Sequence, residues 1–295
     1  MRQDDQAKMM REISLVRAKI SPEVQVLRAL PTKALRMVGP WCFVDLMGPG
    51  DYSLHTEQHP HTALQTLTWM IEGEMLHQDS LGYEQIIRPG QVNLMTAGHG
   101  ISHTEDTMTD PAKIYAAQFW IALPPGLEDG PAAFEHVPEP PQWQDGEIQR
   151  TLLAGEFETY RANIGTQSPL VGVDLATTRG GAQGLALNAE FEHAVIVLSG
   201  QVQVGDLTAT RDQFVALLAG QQEVALCLNP DTRCLLIGGP PREQPLHMWW
   251  NFVGPSRAYL EEAYAQWQAR SERFGSMIPG IPSLDSPRPA WMKPE

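Results

Sequence analysis

His59-Pro60-His61-Thr62-Ala63-Leu64-Gln65-Thr66-Leu67-Thr68-Trp69-Met70-Ile71-Glu72-Gly73 is the stretch that decides the fold. Its two histidines stand at i and i+2, and on a β-strand such residues point to the same face. The run that follows is dense in β-branched and aromatic residues and stops at Glu72-Gly73-Glu74, a turn signal. Short strands are expected at Met75 to His77, Tyr83 to Arg88 and Val92 to Thr96. Turns at Asp79-Ser80-Leu81-Gly82 and Pro89-Gly90-Gln91 separate them, and a Gly-rich bend at Ala97-Gly98-His99-Gly100 follows. This cadence of short strands and Pro-Gly punctuation belongs to an antiparallel sandwich or barrel.

Ile101-Ser102-His103-Thr104-Glu105 comes next and repeats the i, i+2 spacing with His103 and Glu105. Two such strands facing each other inside a barrel would aim His59, His61, His103 and Glu105 at one point. Three imidazoles and a carboxylate suit a divalent transition metal, with Fe(II), Mn(II), Ni(II), Cu(II) and Zn(II) all open, and leave coordination positions for water or substrate. Calcium prefers oxygen ligands and is a poor match. Glu105 has two roles open to it: a metal ligand, or a base that takes a proton from bound substrate.

Beyond this core the chain contains a diverged internal repeat. Val195 to Val202 echoes Trp69 to Met75, and Phe214 to Gly220 echoes Val92 to Gly98. With Gly200 set on Gly73, Ala186 and Asn188 fall where His59 and His61 stand. With Gly220 set on Gly98, Ala225 and Cys227 take the places of His103 and Glu105. The second half is therefore expected to lack the metal ligands, and His193 reads as a structural or surface histidine. Pro138-Glu139-Pro140-Pro141-Gln142 is the natural linker. Ser256 to Arg273 has apolar residues at helical spacing, with Pro255 before it and Gly275 after it, and reads as an amphipathic helix followed by an extended tail.

Composition sets outer limits. The chain has 295 residues, 24 prolines, 25 glycines and a formal net charge of −14. The proline and glycine content argues against a helical bundle. The negative charge, with no basic run to offset it, disfavours direct binding to nucleic acid. No apolar stretch is long enough to span a membrane. Met1-Arg2-Gln3-Asp4-Asp5 lacks the apolar core of a signal peptide. The three scattered cysteines, Cys42, Cys227 and Cys234, form no disulfide framework, so a cytoplasmic location is expected.

The residues also resemble a known family. His59-Pro60-His61, Glu72-Gly73-Glu74-Met75, His77-Gln78-Asp79-Ser80-Leu81-Gly82, Arg88-Pro89-Gly90, Met95-Thr96-Ala97-Gly98 and His103-Thr104-Glu105 follow the cupin pattern, and more specifically that of pirin, a bicupin. Gln118 to Pro124, Met248 to Val253 and Arg273-Phe274-Gly275 continue the likeness. The resemblance implies an all-β protein of two tandem antiparallel cupin (jelly-roll) barrels with a C-terminal helix and extended tail. Residues 1–137 would form the metal-binding cupin, 138–245 a diverged cupin without metal ligands, and 246–295 a C-terminal strand, helix and tail. It implies one metal ion, with iron the choice because pirins generally hold non-haem iron.

Two activities follow from the resemblance. One is a quercetin 2,3-dioxygenase, an oxidoreductase opening a flavonol ring with O2, with Glu105 taking the hydroxyl proton. The other is a redox-sensing regulatory protein that binds a transcription factor or metabolic enzyme without turnover. The partner is accordingly a small flavonol-like aromatic or a protein. Two positions depart from the family pattern: Gln65, where an acidic residue is usual, and His99, where Arg is common.

Overall fold

The structure is a computed structural model that describes residues 9–20 and 24–292. The amino-terminal expectation on Met1 to Asp5 lies outside the described residues. The chain divides into two compact units: 1–47 with 117–119 and 139–242, and 48–116 with 120–138 and 243–295. Strands Trp41–Tyr52 and Ala112–Ala122 carry residues of both.

The unit built around 48–116 holds a four-stranded sheet in the order His59–His61, Ile101–Thr107, Met75–Asp79, Glu84–Ile87. The first four strands of its companion sheet, in order, are Ala133–Val137, Val92–Thr96, Leu64–Glu72 and Ala112–Ala122. His59–His61 with Ile101–Thr107, Ile101–Thr107 with Met75–Asp79, Met75–Asp79 with Glu84–Ile87, Ala133–Val137 with Val92–Thr96, and Val92–Thr96 with Leu64–Glu72 all pair antiparallel. Gly73 turns the chain between Leu64–Glu72 and Met75–Asp79 at φ 90°, and a Cβ there would sit 2.1 Å from the Lys113 carbonyl oxygen. Both the positive φ and the close approach require glycine.

The other unit repeats the architecture. One sheet runs Met10–Ser14, Gln213–Leu217, Glu192–Ser199, Thr232–Gly239, Val171–Thr177, Ile148–Phe157, Gln142–Asp145. The facing one runs Gly181–Ala186, Glu223–Leu228, Gln201–Val204, Leu207–Thr210. Between them Leu152, Val173, Val195, Val197, Val215, Leu226 and Leu236 form an apolar core. The two units are thus two cupin barrels. The amino-terminal strand Met10–Ser14 pairs with Gln213–Leu217 of the second barrel, a long-range pairing that local patterning does not disclose.

Register refines the internal repeat. Ala225, the counterpart of His103, lies opposite Gly184, and Ala186 lies opposite Glu223. In the first barrel His103 lies opposite His59, and His61 opposite Ile101. Gly184 and Ala186, two residues earlier than sequence alignment gives, therefore occupy the positions of His59 and His61. Neither side chain is a ligand type.

A single α-helix is found among the described residues, Arg257–Gln268, with a 3-10 turn at Glu272–Phe274. Ser256 caps it, its Oγ accepting from the Tyr259 N–H at 3.1 Å. The helix ends five residues before the expected Arg273. Arg270 enters the left-handed region at φ 55°. The Ser271 N–H then bonds the Gln266 carbonyl and the Arg270 N–H bonds that of Trp267. This is a Schellman closure with arginine where glycine is usual, so the apolar periodicity alone overruns it. Leu260, Ala263 and Trp267 pack with Phe252 and Phe274.

Candidate metal centre

The register of the four-stranded sheet builds the site. Residues directly opposite in an antiparallel pair share a face. His103 stands opposite His59 on one side and Asp79 on the other, and Glu105 stands opposite His77. With the i, i+2 partners added, His59, His61, His77, Asp79, His103 and Glu105 all lie on one face. That face meets the companion sheet: the His61 ring lies edge-on to Trp120 at 5.0 Å, and His77 stacks on Phe134 at 4.4 Å. The cluster therefore sits inside the first barrel.

Each of His59, His61 and His103 offers one ring nitrogen within 4.8 Å of the others. Ring centroids are 5.2 Å apart for His59 and His61, 4.3 Å for His59 and His103, and 5.0 Å for His61 and His103. His59 Nδ1 lies 2.9 Å from the Glu57 carbonyl oxygen, and His61 Nδ1 3.0 Å from that of Asn251. A carbonyl only accepts, so both Nδ1 atoms carry the proton and both Nε2 lone pairs are left for other work. His103 Nε2 is buried and has no hydrogen-bond partner.

Burial holds these rings neutral. It pushes His59 down to about 4, against a smaller opposing effect of the Glu57 carbonyl. His61 and His103 are held well below the usual histidine range, first by burial and then by neighbouring imidazoles. Three neutral imidazoles with converging lone pairs, one of them orphaned in the interior, are the donor set that a divalent transition metal takes. The residues fit such an ion.

Glu105 lies outside the group of ring nitrogens gathered within 4.8 Å. Its backbone is pinned by Thr56, whose Oγ accepts from the Glu105 N–H at 2.6 Å. His99 faces outward and bonds Asp129 at 2.9 Å. Gln65 is fully buried in the companion sheet, where its Nε2 donates to Thr96 Oγ1 at 2.9 Å. His55 is exposed and pairs with Asp106 at 3.2 Å.

Several supporting residues carry no local signal in the sequence. The hairpin of His247–Trp249 and Phe252–Gly254 turns through Trp250, at φ 53°, and presents the Asn251 carbonyl to His61. Thr62 Oγ1 donates to the Val253 carbonyl at 2.8 Å, fixing that hairpin beside the His59–His61 strand. Gln58, fully buried, donates to Ser102 Oγ and the Ser276 carbonyl, and accepts from the Ile278 N–H at 2.8 Å. The family likeness of Met248 to Val253 marks this hairpin in the sequence, but not the carbonyl that it presents to His61.

Comparison with known proteins agrees with this architecture. The Pirin family model matches residues 23–121, and that of the pirin C-terminal cupin domain matches 172–275. A Pseudomonas aeruginosa protein provisionally named a quercetin 2,3-dioxygenase is 41% identical over 289 residues, covering 96% of this chain and 91% of its own. A pirin-like protein of Caulobacter vibrioides is 35% identical, covering 83% of this chain and 88% of its own. The crystal structure of a quercetin 2,3-dioxygenase from Acinetobacter baumannii superposes with a TM-score of 0.93 at 40% identity, covering 98% of this chain and 99% of that one. With both cupin domains matched in order and relatives aligned over nearly their full length, the chain belongs to the pirin family.

Proposed function

We propose that this protein is a metal-dependent dioxygenase of flavonol-like substrates, with His59, His61 and His103 holding one divalent transition metal, Fe(II) by preference, and Glu105 serving the same site. The observation that carries the reading is the convergence of three neutral imidazoles within 4.8 Å, with the His103 Nε2 lone pair buried and unpartnered. The names borne by its relatives supply the substrate class. A bound metal would supply Lewis acidity, redox capacity and open coordination positions.

The chain's own residues do the rest. Glu105, on the cluster's face and half-buried, would accept the flavonol hydroxyl proton on its carboxylate. Trp120 lies edge-on to His61 and Phe134 stacks on His77, so aromatic rings flank the imidazoles, surroundings that suit a planar polyphenol.

The test is direct. Full-length protein loaded anaerobically with Fe(II), and in parallel with Mn(II), Ni(II), Cu(II) and Zn(II), is mixed with quercetin and then oxygen. Loss of flavonol absorbance with release of carbon monoxide is expected. No turnover with any metal or with several flavonols would sink the dioxygenase reading and favour the regulatory one. Metal content of His61→Ala and His103→Ala tests the site itself: both variants are expected to lose the ion.

A further inference from the structure

Resting on the metal reading above, we propose that Asp79 and His77 form a hydrogen-bonded relay that sets the tautomer of His103 and presents its Nε2 lone pair to the metal. The relay begins at a turn. Asp79 Oδ1 accepts from the N–H groups of Leu81 at 2.9 Å and Tyr83 at 3.1 Å. This orients the carboxylate so that Oδ2 faces His77 Nε2 at 3.2 Å. Both side chains are nearly sealed from solvent, His77 at 5% and Asp79 at 3% exposure.

A carboxylate oxygen here accepts, so the His77 proton belongs on Nε2. The relay takes His77 as neutral, and its one N–H on Nε2 then leaves Nδ1 with a lone pair. That atom faces His103 Nδ1 at 3.4 Å. Two lone pairs cannot bond, so His103 carries its proton on Nδ1. Its Nε2, the buried nitrogen with no partner, is then a lone pair.

The register brings these groups onto one face: Asp79 lies across from His103, and His77 from Glu105. The stack of His77 on Phe134, at an interplanar angle of 10°, holds the ring plane. The three ligands are thus not equivalent. His59 and His61 give their Nδ1 protons to neutral peptide carbonyls, whereas His103 is backed, through His77, by an anion. Such support raises the donor strength of the imidazole it orients. Asp79 and His77 act through His103 and are positioning residues.

Asp79→Asn distinguishes the relay from simple packing, because it inverts the chain. The amide oxygen can keep the Leu81 and Tyr83 bonds, which turns the NH2 group toward His77. His77 must then accept on Nε2 and donate from Nδ1, and the His103 proton moves to Nε2, pointing into the cluster.

The experiment uses metal-free, full-length protein labelled with 15N-histidine. Long-range proton–nitrogen correlation spectra assign each ring's tautomer at neutral pH. Wild type is expected to carry the His103 proton on Nδ1, and Asp79→Asn on Nε2. Zn(II), used as a diamagnetic probe in competition with a chelator, should bind Asp79→Asn roughly 10–100-fold more weakly than wild type. His77→Phe, which keeps the flat ring against Phe134, should weaken Zn(II) to a similar degree while leaving His103 a mixture of tautomers.

A His103 proton on Nε2 in wild type, or a doubly protonated His77, overturns the relay whether or not any variant folds. An unchanged tautomer and Zn(II) affinity in Asp79→Asn does the same. The expected wild-type tautomer with no Zn(II) binding would remove the metal reading and leave the relay standing. Tight Zn(II) binding with the opposite tautomer would do the reverse.

Discussion

Pro60 stands between the two imidazoles of the first motif and can donate no ladder bond. The strand that carries it is the edge strand of its sheet, where a missing N–H is tolerated. At the scale of single residues the shared face of His59, His61, His103 and Glu105 was legible, since these spacings need only the two-residue period of a strand; that the three histidine nitrogens gather without the carboxylate was not. Which nitrogen of each ring is free was not legible. The proton acceptor of His61 is the Asn251 carbonyl, 190 residues away, and no local pattern encodes that pairing. Glu105 is the residue whose proposed role separates binding from chemistry. Glu105→Gln leaves three imidazoles to anchor the ion but substitutes an amide that cannot take a proton. Metal content is expected to stay near that of wild type while flavonol turnover falls by about 10²–10⁴-fold, the worth of a positioned base. Turnover within a few-fold of wild type would remove Glu105 from the mechanism.

At the scale of elements, strand positions followed from patterning, and the errors fell where tertiary contacts rule. Val92 to Thr96 was bounded as observed, because a run of apolar residues ends there at a Gly-rich bend. The helix from Arg257 was overrun because Arg270, not a glycine, takes the left-handed position that closes it. The carboxyl-terminal tail was expected to be extended. What could not be foreseen is that it closes on Gln58, one residue before the metal motif. Besides its side-chain bonds, the Gln58 N–H donates to the Pro282 carbonyl and its carbonyl accepts from the Leu284 N–H. Gln58→Leu preserves volume and the backbone bonds but leaves the Ile278 N–H without its acceptor and Ser102 without a donor. The expected cost is about 1–3 kcal/mol, read as a lowered urea midpoint, with faster hydrogen exchange at the Ile278 amide. A midpoint shift with an unchanged Ile278 rate would show that the glutamine stabilises something other than the tail.

At the scale of the whole molecule, two copies of one architecture have diverged in what their interiors hold. Gly73 and Gly200 mark equivalent turns, both at positive φ, and this pair made the repeat readable despite the loss of ligands at Gly184, Ala186 and Ala225. The second barrel retains a buried ionisable ring of its own. His193, 2% exposed, lines a cavity of about 290 Å³ with Met37, Val38 and Leu217, and its Nδ1 has no partner. Burial pushes its pKa down to about 4 from 6.5. The folded value lies below the unfolded one, so as pH falls the unfolded chain takes up the proton first. Stability from this residue is therefore complete above about 6.5 and is lost progressively as pH drops toward about 4. A shift of that size corresponds to a loss on the order of 3 kcal/mol across the window. His193→Leu fills the same space with no group to protonate. The acid slope of its stability, measured by urea denaturation from pH 7 to pH 4, should be shallower than that of wild type by that amount, with all other titrating groups common to both. Parallel slopes would mean that His193 takes up its proton as readily in the folded barrel as in the open chain.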